Sequence, residues 1–203
     1  MKKIILSAVL LASVSVAQAQ TGAFAKAARN VKATPNFQKA DSVTQGEPKK
    51  LAVVMTAQKS ISDNAVTSPD LSDFTKALAQ TNVKNTLSTA GPFTVFAPTN
   101  TAFEAVPDAA KFLSAENTNA LRKTLFHHVV TGKWTSANLQ DAINKGNGRT
   151  VLKTMTAQNL TVSKKDNQFV ISDEQGHQAV VVLPDQEQKN GIVHVVSAVL
   201  MPK

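Results

Sequence analysis

The 203 residues contain no cysteine and no tyrosine. The lack of cysteine excludes disulfides, thiolate nucleophiles and cysteine-ligated metals, so an exported chain of this kind holds together by its core alone. It also excludes lipid attachment at a cysteine behind a leader. With no tyrosine and one tryptophan, Trp134, the core falls to nine phenylalanines and the aliphatic residues. After the first twenty residues no apolar run approaches the ~20 residues that span a bilayer. Gly-x-Ser-x-Gly, phosphate-loop and dinucleotide patterns are missing, and so is a histidine pair at i, i+4. Adjacent His127 and His128 would diverge by about a hundred degrees on a helix and do not make a metal clamp. Catalysis, a resident cofactor and a metal site are not expected.

A focused basic face is missing as well, despite a formal net charge of +8. Residues 1–50 carry eight of the 22 basic residues against only Asp41 and Glu47, whereas the rest is close to balanced. The surplus lies in a leader and a tail without interleaved aromatics, which argues against nucleic-acid binding.

What is present begins with an export signal. Lys2 and Lys3 precede an apolar run from Ile4 to Val16, broken only by Ser7, Ser13 and Ser15, and Ala17-Gln18-Ala19 supplies a small-x-small cleavage site. An uncleaved anchor is the alternative, but the run is too short to span a membrane. The expected organisation is a signal peptide over 1–19, a linker or N-terminal tail over 20–59, and a domain over 60–203. Leu51 to Met55 could form a short strand inside the tail.

From Ser60 onward local signals sharpen. Ser68-Pro69-Asp70 reads as a capped helix start, with Leu71, Phe74 and Leu78 at helical spacing behind it. Gly91-Pro92 ends the helical region, and Phe93 to Ala97 reads as a strand buried on both faces and closed by Pro98. Thr101 with Glu104 fits a capping box, although Thr99 or Asn100 could serve as the cap. Ser114 caps a longer helix with Leu121, Thr124, Leu125 and His128 on one face, and Ser136 opens a helix over about 137–145 that Gly146 ends. Alternation then takes over. Leu160 and Val162, a turn at Lys165-Asp166-Asn167, Phe169 to Ile171, a turn at Glu174 to Gly176, Gln178 to Leu183, and a final strand from Ile192 to Met201 read as an antiparallel meander. Helices first and strands last make the fold class α+β.

Three stretches resemble the fasciclin domain family. The run from Gly91 to Phe103, Gly-Pro-Phe-Thr-Val-Phe-Ala-Pro-Thr-Asn-Thr-Ala-Phe, resembles its first signature. Leu125 to Gly132, with His128-Val129-Val130, resembles the central tyrosine-histidine segment. Asn190 to Val196, continuing to Val199-Leu200-Met201-Pro202, is similar to the closing signature. The chain thus resembles a secreted, single-domain bacterial member of that family. The resemblance implies a fasciclin-like fold, with N-terminal helices packed on an antiparallel sheet wedge. It also implies a non-enzymatic adhesion or matrix-interaction module for a cell-surface or matrix protein or a polysaccharide, placed in the periplasm or outside the cell. A carrier of small hydrophobic ligands is the alternative. The structural signature comprises Phe93, Phe96, Pro98, Phe103, His128, Gly191, His194 and Pro202, with His128 hydrogen-bonded inside the fold. Thr99, Asn100, His127 and His128 are the candidates for partner contact. The family usually has tyrosine where this chain has His127, so the integrin contact associated with that region in animal members is not expected.

Overall fold

A parallel pair of strands lies at the centre of the computed structural model, which describes residues 51–203. The expected signal peptide and residues 20–50 of the expected tail lie outside the described residues. Strands β1 (Phe93–Pro98) and β7 (Gly191–Val196) run side by side and are buried along their whole length. Each supplies two faces. Val95, Ala97, Val193 and Val195 join one apolar cluster, while Phe96 and Val196 join another on the opposite face. The expectation that Phe93 to Ala97 must be covered twice is met in this way.

The pairing sets Phe93 opposite Gly191 and Pro98 opposite Val196. It also explains the glycine: a Cβ at Gly191 would stand 2.0 Å from the Phe93 carbonyl oxygen. Around this pair the sheet runs β2 (Val129–Thr131), β1, β7, β6 (Gln178–Gln188), β5 (Gln168–Ser172), β4 (Asn159–Lys165), β3 (Arg149–Lys153). The antiparallel expectation holds for the meander from β4 to β7; β3 with β4 and β1 with β2 are antiparallel as well, and the pattern gives way at the parallel β1–β7 contact. Asp166 and Asn167 both take positive φ in the β4–β5 hairpin, as a tight primed turn requires. A bridge between Val130 and Thr154, with Met155 N–H donating to Val129 O at 2.9 Å, joins the two ends of the sheet and covers both edges there.

Helices α1 (Ile61–Val66), α2 (Ser72–Gln80), α3 (Val83–Ser88), α4 (Asn100–Glu104), α5 (Ala109–Phe112) and α6 (Thr118–His127) precede most of the sheet. Five of them contribute Ile61, Phe74, Leu78, Leu87, Phe103, Leu121 and Leu125 to the first cluster, and Phe112 of α5 packs against its side. Helix α7 (Ser136–Lys145) lays Leu139 and Ile143 on the second, against Phe96, Leu152, Leu160 and Ile171. Helices beside a mixed sheet make this an α+β fold.

Several ends differ from expectation because neighbouring oxygens compete for one role. Thr99, not Thr101, caps α4, accepting from Ala102 N–H at 3.2 Å. Thr135, not Ser136, caps α7 through Asn138 N–H. Ser68 caps nothing; a 3₁₀ turn over Pro69–Leu71 intervenes before α2. Ser114 instead donates to Lys111 O. The last strand stops at Val196, five residues before Met201, and β2 and β3 had no expected counterpart.

Residues 51–59, assigned above to the tail, instead pack on the domain. Leu51, Val53 and Met55 sit against the helical cluster. No strand holds them. Side chains do: Val54 N–H donates to Ser68 Oγ at 3.1 Å, and Thr56 N–H to Asn64 Oδ1 at 3.0 Å. Ala52 N–H donates to the Asp70 carboxylate. Ser68 and Asp70 thus pin a strap rather than start a helix.

Candidate functional site

Three of the four histidines are enclosed, and each is held differently. His128 follows α6 directly and is fully buried. Its Nδ1–H donates to Thr124 O at 2.9 Å, and Leu200 N–H donates to its Nε2 at 3.0 Å. A carbonyl can only accept and a backbone N–H can only donate, so the tautomer follows from the partners. The ring ties the central signature stretch to the closing one. Burial drives its pKa down to about 4, the Thr124 carbonyl opposing this and the His127 charge adding to it.

His194, in the middle of β7, takes the opposite tautomer. Its Nε2–H donates to Trp134 O at 2.7 Å and its Nδ1 accepts from Asp185 N–H at 3.2 Å. The register of β6 is irregular between Leu183 and Gln186, and that irregularity aims the Asp185 amide at the ring. The Asp185 carboxylate also accepts from Ser136 N–H at 2.8 Å, at the start of α7. The ring stacks on Phe96 with centroids 5.6 Å apart. Burial lowers this imidazole too, against the Trp134 carbonyl and the Asp185 charge.

His127 is also buried, with Nδ1 at 3.2 Å from Thr156 Oγ1 and Nε2 unpartnered. Burial pushes its pKa down, against the pull of Asp173 and Glu174.

The partner-contact expectations meet this geometry unevenly. His127, His128 and Thr99 are buried, at 1%, 0% and 4% exposure, and cannot meet a partner on the folded surface. Asn100 is half-buried, and its amide is in use: Oδ1 accepts from Asp73 N–H near the start of α2 and Nδ2 donates to Pro69 O, both at 3.0 Å. Of the signature residues, Phe93, Phe96, Pro98, Phe103, His128, Gly191 and His194 are buried and Pro202 is half-buried. All but Pro202 form core, not contact surface.

Sequence reasoning missed a different pair. The Asp173 carboxylate, with no exposed surface, accepts from Gln175 N–H and His177 N–H at 2.9 Å and from Met201 N–H at 3.0 Å. It also takes the His177 ring, Nδ1 to Oδ2, at 2.7 Å. Burial pulls this carboxyl upward, but those four hydrogen bonds outweigh burial and hold it below the usual carboxylate value. His177 itself is half-exposed and lines an apolar cleft of about 560 Å³ with Val106, Phe112, Val199, Met201 and Pro202. The Asp-x-x-x-His spacing was visible, but it acts across a turn, with Gly176 at φ 93°, and not along a helix. Elsewhere, a polar groove of about 840 Å³ lies between α1 and the start of β7, rimmed by Lys59, Asp63, Lys133 and Lys189.

Among the described residues no helix is long and apolar enough to cross a membrane. Nor do three or more histidines and acids gather where they could hold a metal ion.

Comparison with known proteins places this geometry. The Fasciclin domain model matches residues 69–202. Protein sll1483 of Synechocystis sp. (strain ATCC 27184 / PCC 6803 / Kazusa) is 34% identical over 128 residues, covering 62% of this chain and 64% of that protein, just under two thirds of its length. A second protein of the same strain, the uncharacterized sll1735, is 33% identical over 140 residues, covering 68% of this chain and 93% of its own. Among solved structures, a FAS1 domain pair from the insect cell adhesion molecule Fasciclin I superposes with a TM-score of 0.63 at 21% identity, over 71% of this chain and 51% of that one. The match covers all three signature stretches, and the chain belongs to the Fasciclin domain family.

Proposed function

We propose that the protein is a secreted, non-enzymatic adhesion or matrix-interaction module, acting in the periplasm or at the cell exterior on a protein or polysaccharide partner. The observation that carries this reading is where the signature residues lie. The histidines that could do chemistry at His127, His128 and His194 are enclosed, four of their ring nitrogens bonded to backbone groups. The remaining surface is an α+β shell that carries the polar, lysine-rimmed groove of about 840 Å³. Family membership supports the same reading, since a protein of this fold is an insect cell adhesion molecule. The leader at residues 1–19 supports export.

The test is retention of envelope and exterior fractions of the native host on the immobilised full chain, at low and moderate salt. Retention that falls in a Lys59→Glu, Lys189→Glu double variant is expected. No retention above that variant at either salt contradicts the reading.

The apolar cleft beside His177 favours a second reading, a carrier of small hydrophobic ligands. Its size lies within the ~300–1,000 Å³ of small-molecule sites, and its lining is apolar with few polar groups. Ligand copurifying with native protein, detected by mass spectrometry, is the expected result under this reading, and clean apo spectra from repeated preparations oppose it.

A further inference from the structure

The cleft beside His177 carries more than apolar surface. Asp173 already has three backbone N–H groups to satisfy it, from Gln175, His177 and Met201, and these complete the turn without the imidazole. The ring is an added partner, fixed edge-on by a carboxylate with no exposed surface, while half of it stays open to the cleft. Because the carboxylate can only accept, Nδ1 carries the proton of that bond, and the uncharged ring is left a lone pair at Nε2. Nε2 has no partner among the described residues. The other polar side chain lining the cleft, Gln175, is already engaged, its Nε2 donating to Met201 O at 3.3 Å.

We propose that this cleft binds a small apolar molecule bearing one hydroxyl, an alcohol or a phenol, whose O–H donates to His177 Nε2. This rests on the carrier reading above and names its ligand class. The apolar body packs against Phe112, Val106, Val199 and Met201. The hydroxyl is selected by exclusion. A carboxylate head would bring a second negative charge towards Asp173 and meet a lone pair at Nε2. An ammonium would have to leave water for an apolar wall, at a cost one hydrogen bond does not offset. A group without a proton to give leaves Nε2 unpaired under the ligand.

Fluorescence titration of the full chain at pH 8 with 2-naphthol, 2-methoxynaphthalene and 2-naphthoate tests this. The wild type is expected to bind 2-naphthol about fivefold to tenfold tighter than 2-methoxynaphthalene, the effect of one hydrogen bond. His177→Ala should abolish that preference and leave 2-methoxynaphthalene unchanged. His177→Phe, which keeps a ring without a nitrogen, should do the same, and thermal melts of both variants report whether the turn survives. Ala105→Trp, at an exposed lining position, should block all three probes. Equal affinities in the wild type, a preference that survives both His177 variants, or tightest binding of 2-naphthoate overturns the hydroxyl inference and leaves the carrier reading standing. No binding of any probe, or binding indifferent to Ala105→Trp, overturns both.

Discussion

At the scale of single residues, the molecule uses histidine as a two-ended connector. His128 reaches from the Thr124 carbonyl to the Leu200 amide, and His194 from the Trp134 carbonyl to the Asp185 amide. Each ring works only uncharged, because one nitrogen must stay unprotonated to accept. The consequence for pH has a definite sign. The unfolded chain protonates these rings as pH falls below about 6.5, whereas native His128 resists until about 4. Between those values the unfolded state binds more protons, so stability falls as the solution is acidified. For His128 alone the loss is on the order of 3 kcal/mol across that window. His127 and His194 shift in the same direction and add to it. Asp173, held low, adds a loss only below the ordinary carboxylate range. Urea unfolding at pH 7 and pH 4.5 should show a clear drop in midpoint, smaller in His128→Gln. An unchanged midpoint would oppose the assignment.

At the scale of elements, the ends of helices show what a sequence can and cannot specify. Thr99, Asn100 and Thr101 stand in a row where α4 begins, and by sequence each could cap it; tertiary contact decides, because Asn100 is drawn away to α2. Thr99→Ala is expected to cost about 1 kcal/mol in chemical denaturation, and Thr101→Ala close to nothing. The buried strand at Phe93, the hairpin turn at Asp166-Asn167 and the helix behind Ser114 were legible because their signals are local. Strand β3 was not: only Leu152 is buried in it, so no apolar alternation marks it. Nor was the parallel union of β1 with β7, whose partners lie almost a hundred residues apart and share no turn. The one trace of it was Gly191, conspicuous in the sequence and explained only by the Phe93 carbonyl against it. Gly191→Ala should cost about 1–3 kcal/mol or more, since backbone must move to admit the methyl. A neutral result would mean the two strands are not so closely paired.

At the scale of the whole molecule, ordered packing begins earlier than the sequence suggested, and the signature residues it was read from lie mostly inside. The strap over 51–59 looked like tail because its hydrogen bonds come from side chains of Asn64, Ser68 and Asp70, distant in sequence, and not from a neighbouring strand. A chain starting at Leu51 should be about 2–4 kcal/mol more stable than one starting at Ser60, since Leu51, Val53 and Met55 lose their cover in the shorter form. Differential scanning calorimetry of the two chains would check this. The candidate site was less legible than the fold. Motif matching drew attention to Thr99, His127 and His128, which are interior, whereas Asp173 and His177 lie in a turn with no signature at all.

Underlying all three scales is one claim: the three signature stretches close on a single core in which His128 is a sealed joint, so that recognition falls to the outer shell. Long-range nitrogen–proton correlation spectra of the imidazoles, followed from pH 7.5 to pH 5, test it most directly. His128 should remain neutral with its proton on Nδ1 throughout, and His194 neutral with its proton on Nε2 at pH 7.5. An imidazolium signal from His128 with a midpoint near 6.5 would mean that the ring is open to water and that the core does not close as described.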